Sequence, residues 1–211
     1  MKLAVLGATG GVGRHLVAHA LADGHHVTAA VRDPGRLTVH HDRLTVVRAD
    51  SLDPASLKPV IEGADAVLSG MGQAGRSDPL KPASTSARAA ATAMAAVGVR
   101  RLLVVSAAPL NRAGTGQAFA TAKLFGPLLW AVLKDVYTDL EAMERVLRDS
   151  GLDWTAVRPP RLTDKPGLGR YRHAVEAGPA GNSMPRADVA RAMLDFLPDP
   201  ATYRHAVGIS S

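Results

Sequence analysis

Short apolar runs alternate along this chain with longer stretches in which apolar side chains recur every three or four residues. Residues 2–6 (Lys-Leu-Ala-Val-Leu) are mostly apolar and end at glycines, the pattern of a buried parallel strand. From about 11 to 23, Leu16, Val17, Ala20 and Leu21 fall on one face of a helix, with His15 and His19 opposite and Gly24 in a C-cap position. The cycle repeats with strands at 26–31 and 44–48, a helix at 54–62, a strand at 65–69, a helix at about 80–97 and a strand at 101–106. A long helical region from about 117 to 150 follows. Its last part carries Val136, Leu140, Met143 and Leu147 at helical spacing, and Gly151 stops it. Strand 153–158 is closed by Pro159-Pro160. A loop, a strand near 170–175, a helix at 186–197 and a terminal strand near 203–209 complete the chain. Such alternation predicts a single α/β domain over residues 1–211, a doubly wound parallel sheet of the Rossmann type. The stretch 107–120 follows a strand at the carboxyl edge, where such folds bind ligands, and is expected to be a mobile loop.

Composition narrows the partners. Hydrophobic residues at 46% and charged residues at 21% fit a folded globular domain, and the absence of cysteine excludes disulfides and thiolate chemistry. Glycines at 7, 10, 11 and 13 break the first apolar run too early for a signal peptide. No uncharged apolar stretch approaches the roughly 18 residues of a membrane span, so no membrane partner is expected and a cytoplasmic location is the default. The net charge of +6 is spread along the chain, and eight aromatics (2 Trp, 3 Tyr, 3 Phe) offer little for base stacking. A phosphate-rich cofactor accounts for part of that charge more economically than nucleic acid. The expected partners are small molecules, with the protein a monomer or homodimer.

The turn Gly7-Ala8-Thr9-Gly10-Gly11-Val12-Gly13 lies directly after a strand and directly before an amphipathic helix, the context a dinucleotide site requires. Its glycines let backbone approach a pyrophosphate, while the helix N-terminus offers unpaired N–H groups and a positive dipole end. The alternative is a glycine-rich turn that holds nothing. An NAD-selective site presents a carboxylate at the end of the second strand for the ribose hydroxyls; here Arg32 stands there. A guanidinium suits a 2′-phosphate, which favours NADP, although a solvated surface arginine would look the same in sequence. Asp33, before Pro34, reads as a turn or cap residue. By topology Asp50 and Ser51 should border the adenine, and Ser69, Gly70, Met71 and Gly72 should pass beside the cofactor, with ordinary loop chemistry as the alternative for either group.

With these residues placed, the chain resembles the atypical short-chain dehydrogenase/reductases (NAD(P)H-binding, NmrA-like), most closely the biliverdin-IXβ reductase/flavin reductase family. The carriers are the glycine turn, Val31-Arg32-Asp33 with Arg36-Leu37, Asp65-Ala66-Val67-Leu68, Val105-Ser106-Ala107 and Val146 to Leu152. Val157-Arg158-Pro159-Pro160-Arg161-Leu162-Thr163-Asp164, the loop Pro166 to Tyr171 and Asp188-Val189-Ala190 complete them. The segment 146–171 is the most specific. The resemblance implies hydride transfer from NADPH to a flavin or linear tetrapyrrole bound over the nicotinamide. It makes Ser106, at the end of the fifth strand, a functional position on the nicotinamide side, joined there by Pro159. Its tetrapyrrole reductases can carry a histidine after the paired prolines. This chain has Arg161, which can pair with a carboxylate or phosphate but is a poor proton donor. A phosphate-bearing acceptor such as FMN is compatible with that, and the segment 107–135 is longer than the resemblance leads one to expect. A non-catalytic NADP-binding sensor, or a tailoring reductase or epimerase of a secondary metabolite, remains as an alternative.

Other constellations fail. Tyrosine-dependent short-chain dehydrogenases pair the tyrosine with a lysine four residues on, but Tyr137 is followed at that spacing by Glu141, which would push the phenol pKa the wrong way. His15 and His19 have the spacing of zinc ligands without a following glutamate, and read as solvated surface histidines with no metal. Asp139, Glu141 and Glu144 with Arg145 and Arg148 read as a mixed-charge helix face of i, i+4 pairs.

Overall fold

The structure is a computed structural model that describes residues 1–73, 75, 77–110 and 133–211. Most of the 107–120 loop and the first part of the expected 117–150 helix lie outside the described residues.

Ten strands are described: β1 (Lys2–Leu6), β2 (His26–Val31), β3 (Leu44–Arg48), β4 (Ala66–Ser69), β5 (Arg101–Val105), β6 (Asp153–Arg158), β7 (Arg161–Thr163), β8 (Arg172–Val175), β9 (Ser183–Pro185) and β10 (His205–Ser210). The helices are α1 (Gly13–Ala22), α2 (Pro54–Ile61), α3 (Pro82–Val97), α4 (Lys134–Asp149) and α5 (Arg186–Asp195). Among the described residues the main sheet has eight strands in the order β3-β2-β1-β4-β5-β6-β10-β8. Its neighbours run parallel except at the edge, where β8 is antiparallel to β10.

Each inner strand is apolar on both faces because a helical layer covers each side. Leu3, Val5, Leu68 and Leu103 pack under α1 and α5, and Ala4, Leu6, Val67 and Leu102 pack under α2, α3 and α4. Each fully buried leucine contributes about 1.5–3 kcal/mol, so the two layers fix the sheet's position and with it the loops at the strand ends. At the amino edge Arg101, 6% exposed, donates to the carbonyls of Asp153, Phe196 and Leu197 and to the hydroxyls of Thr155 and Thr202. Its guanidinium lies 4.2 Å over the ring of Tyr203, and burial pulls its pKa down to about 10. This arginine ties the end of α5 to β5 and β6.

Three details depart from the expected elements. The first helix begins at Gly13 rather than 11, because Gly7 to Val12 form a separate turn closed by Gly10 N–H donating to Gly7 O at 2.8 Å. The last helix ends at Asp195, two residues early; Leu197 precedes Pro198, and the residue before a proline is pushed out of helical backbone. The expected loop after Pro160 instead contains β7, which pairs in parallel with β9 in a small second sheet.

Candidate functional site

The glycine turn follows β1 at the carboxyl edge. Gly7 has φ +70, a left-handed conformation that glycine adopts without a Cβ penalty. Gly13 cannot be another residue either, since a Cβ there would lie 2.0 Å from the Gly7 carbonyl oxygen. No side chain caps the start of α1 and its first turn holds no acidic residue, which leaves the helix end available to an anion. The loop after β4 closes against the turn. Gly70 N–H donates to Leu6 O at 3.0 Å, and a Cβ on Gly70 would lie 3.0 Å from Gly13 N. Met71 follows with its Sδ against Gly7, and Ser69 Oγ accepts from Met71 N–H at 3.4 Å. Thr9 is half-buried and the Val12 side chain points into the core, so Val12 can meet a ligand only through its backbone.

Arg32 is exposed just past β2, beyond the Leu6–Ala30 register pair that aligns the ends of β1 and β2, and has no hydrogen bond or ion pair among the described residues. Asp33, also exposed, caps a short helix by accepting from Gly35 N–H at 3.0 Å. Past β3, Asp50 Oδ1 accepts from Leu52 N–H in a local turn, and Ser51 is buried.

At the end of β5 the Ser106 hydroxyl donates to Glu144 Oε1 at 2.7 Å, so its proton is committed and its lone pairs are what it can offer a ligand. Glu144, its side chain 4% exposed, also accepts from Arg158 Nε at 2.9 Å and from a terminal Arg158 nitrogen at 2.5 Å. Pro159 is buried beside this group, its carbonyl accepting from Ala108 N–H at 2.8 Å. Arg161 lies apart, exposed on β7 in the small sheet.

Part of the expected mixed-charge helix face is present. Arg148 lies 3.7 Å from Glu144 at i, i+4, but Glu144 and Asp139 both face inward, Asp139 being 1% exposed. His15 and His19 are half-buried rather than solvated, with rings 6.2 Å apart, and His19 Nε2 is buried without a partner. Burial lowers the His15 pKa, and Arg14 lowers it further. Tyr137 is buried in the core and burial raises its pKa, the reverse of what a catalytic phenol needs. Among the described residues no cluster of histidine, aspartate or glutamate could hold a metal ion.

The sequence expectations also omitted Arg14 and Arg186, which meet over the turn. Arg186 NH1 lies 2.9 Å and Arg14 NH2 3.2 Å from the same oxygen of Asp164. The only sequence signal was two arginines in the first turns of helices, where a cation is unfavourable.

The sequence model of the NAD(P)H-binding family matches residues 7–200. The chain belongs to this NAD(P)H-binding family. A reductase from Streptomyces griseus, (4-alkanoyl-5-oxo-2,5-dihydrofuran-3-yl)methyl phosphate reductase, is 35% identical over 155 residues, 74% of this chain and 46% of that protein. The chain thus spans less than half the length of that relative. A short-chain dehydrogenase/reductase from Veillonella parvula, solved in complex with NADP, has a TM-score of 0.78 at 23% identity, covering 100% of this chain and 94% of its own. A candidate NADH-flavin reductase from Streptococcus pneumoniae has a TM-score of 0.79 at 24% identity, covering 100% and 99%. These two likenesses establish the NAD(P)-binding Rossmann fold, and the special closeness to biliverdin reductases finds no counterpart among them. The residues present are compatible with the family's ligand: the glycines let the turn pack tightly against the start of α1 and the β4 loop, and the uncapped helix end would offer its N–H groups to a diphosphate. No described helix is long and apolar enough to cross a membrane.

Proposed function

We propose that this chain is an NADPH-dependent reductase that delivers hydride to a flavin or a similar flat, conjugated acceptor. The observation that carries the choice of cofactor is Arg32, an exposed guanidinium where an NAD-selective site would hold a carboxylate, with the Asp33 carboxylate engaged in a cap. On this reading Gly7, Thr9, Gly10, Gly11, Val12 and Gly13 cradle the diphosphate and Arg32 takes the 2′-phosphate. Asp50 and Ser51 border the adenine, and Ser69 to Gly72 line the path toward the nicotinamide. The bound nicotinamide supplies the hydride. Ser106, its hydroxyl proton held by Glu144, accepts a hydrogen bond on the nicotinamide side next to Pro159. Rate comes mainly from holding two rings in register, because solvent can supply the proton that a flavin needs and no tyrosine acid is required.

The Streptococcus protein's description as a candidate NADH-flavin reductase supports a flavin acceptor. A second reading, a tailoring reductase of a phosphorylated metabolite, is favoured by the name of the Streptomyces relative, a reductase of a furanylmethyl phosphate. Both readings give exposed Arg161 the same task, pairing with the acceptor's phosphate.

The test is to mix the protein with NADPH and FMN, riboflavin, biliverdins, quinones or a phosphorylated butenolide, following the loss of nicotinamide absorbance. Turnover of FMN above riboflavin, reduced by Arg161→Ala, is the expected result. Tight NADPH binding without turnover of any acceptor would make the chain a cofactor sensor instead.

A further inference from the structure

Two arginines occupy positions that helix electrostatics disfavours. Arg14 is in the first turn of α1 and Arg186 is the first residue of α5, and a cation at a helix N-terminus opposes the dipole by about 0.3–1 kcal/mol. Both nevertheless converge on one oxygen of Asp164, above the glycine turn. The Arg186 side chain reaches that point across Gly11. A Cβ on Gly11 would come within 2.6 Å of Arg186 Nε and 2.7 Å of its Cδ, so the second glycine of the Gly10-Gly11 pair makes room for an arginine.

The carboxylate that joins them is a poor explanation for the arrangement. Asp164 is 68% exposed, against 57% for Arg14 and 27% for Arg186, and ion pairs to a carboxylate so open to water contribute about 0–1 kcal/mol. The loop carrying Asp164 is secured elsewhere. Buried Asp188 accepts from Leu168 and Gly169 N–H at 3.0 Å each. The contact over the turn can therefore be exchanged without unfolding the loop. A diphosphate seated on the turn would offer more negative charge and more acceptor oxygens to the same two guanidinium groups.

We propose that Arg14 and Arg186 form a clamp on the cofactor's diphosphate, and that Asp164 occupies the clamp until the diphosphate replaces it. This rests on the NADP-binding reading above and adds a competition internal to the chain. Asp164 keeps two like charges together in the free protein, at the expense of some cofactor affinity.

Calorimetry with NADP⁺ and with adenosine 2′-monophosphate, which has a 2′-phosphate but no diphosphate, separates the possibilities. Arg186→Gln is expected to weaken NADP⁺ binding about tenfold or more, with Arg186→Lys intermediate, because a charge-assisted bond is lost. Asp164→Asn is expected to tighten NADP⁺ binding about two- to fivefold, the worth of an exposed ion pair. Neither should change the affinity for adenosine 2′-monophosphate, and thermal melting checks that each variant is folded. The clamp is wrong if Asp164→Asn leaves NADP⁺ affinity unchanged or lowers it. It is equally wrong if that variant tightens both ligands alike, which would be a general charge effect, or if folded Arg186→Lys and Arg186→Gln both bind as wild type. Wild-type protein that binds neither ligand would remove the NADP reading itself, whereas normal wild-type binding with indifferent variants removes the clamp alone.

Discussion

Glu144 holds the buried polar group at the end of β5 together: it receives Ser106 and both prongs of Arg158 while almost wholly out of water. Removing one partner of a buried pair leaves the other charge uncompensated, which costs more than the pair contributed. Glu144→Gln should therefore lower stability by about 3–5 kcal/mol in urea unfolding. Ser106→Ala, which leaves both Arg158 bonds intact, should cost about 1 kcal/mol. Equal losses would mean that the ion pair is not the centre of the group. Part of this was legible in the sequence. Glu144 lies four residues after Leu140 and three before Leu147, and so on the apolar stripe of α4. The i, i+4 spacing to Arg148 alone would place it on the surface; Arg158, on another element, decides its position. Arg32 shows the converse, because its place at the end of a recognisable strand followed from sequence order alone.

The elements themselves followed from periodicity, but their ends are often set by distant parts of the chain. α3 starts at Pro82 after Lys81, which has φ 45 and provides no side-chain cap. The cap comes from α4, where Asp139 accepts from Ala83 N–H and Ser84 N–H at 3.0 Å each and from Ser84 Oγ at 2.5 Å. Asp139→Ala would leave those buried donors without a partner and should cost roughly 1–3 kcal/mol, read as a lower urea midpoint with unchanged slope. Asp139→Asn, which keeps an acceptor, should cost less; a neutral outcome for both variants would show that water replaces the cap. No local motif could reveal this contact, since the partners are 55 residues apart in sequence. The β7–β9 pair is hidden for a similar reason. Three-residue strands carry too little alternation to be read, and they exist because the two segments meet.

Across the whole molecule, the strand order β3-β2-β1-β4-β5-β6 reverses direction beside β1, and the glycine turn and the β4 loop meet at that switch point. Ligands of open α/β sheets bind in the crevice there, so the alternation of strands and helices already points to this crevice as the candidate site. The charge over the turn was not implied, because Arg14, Asp164 and Arg186 come together only when the chain after Pro159 folds back across α1. The proposed preference for NADPH rests on one side chain, Arg32, at the far end of this crevice. The most direct measurement is calorimetric affinity for NADPH and NADH with wild type and Arg32→Ala. Wild type is expected to favour NADPH by about tenfold or more, and Arg32→Ala to remove the preference by weakening NADPH alone. Equal affinity of the wild type for the two cofactors, or a preference that survives the substitution, would contradict it.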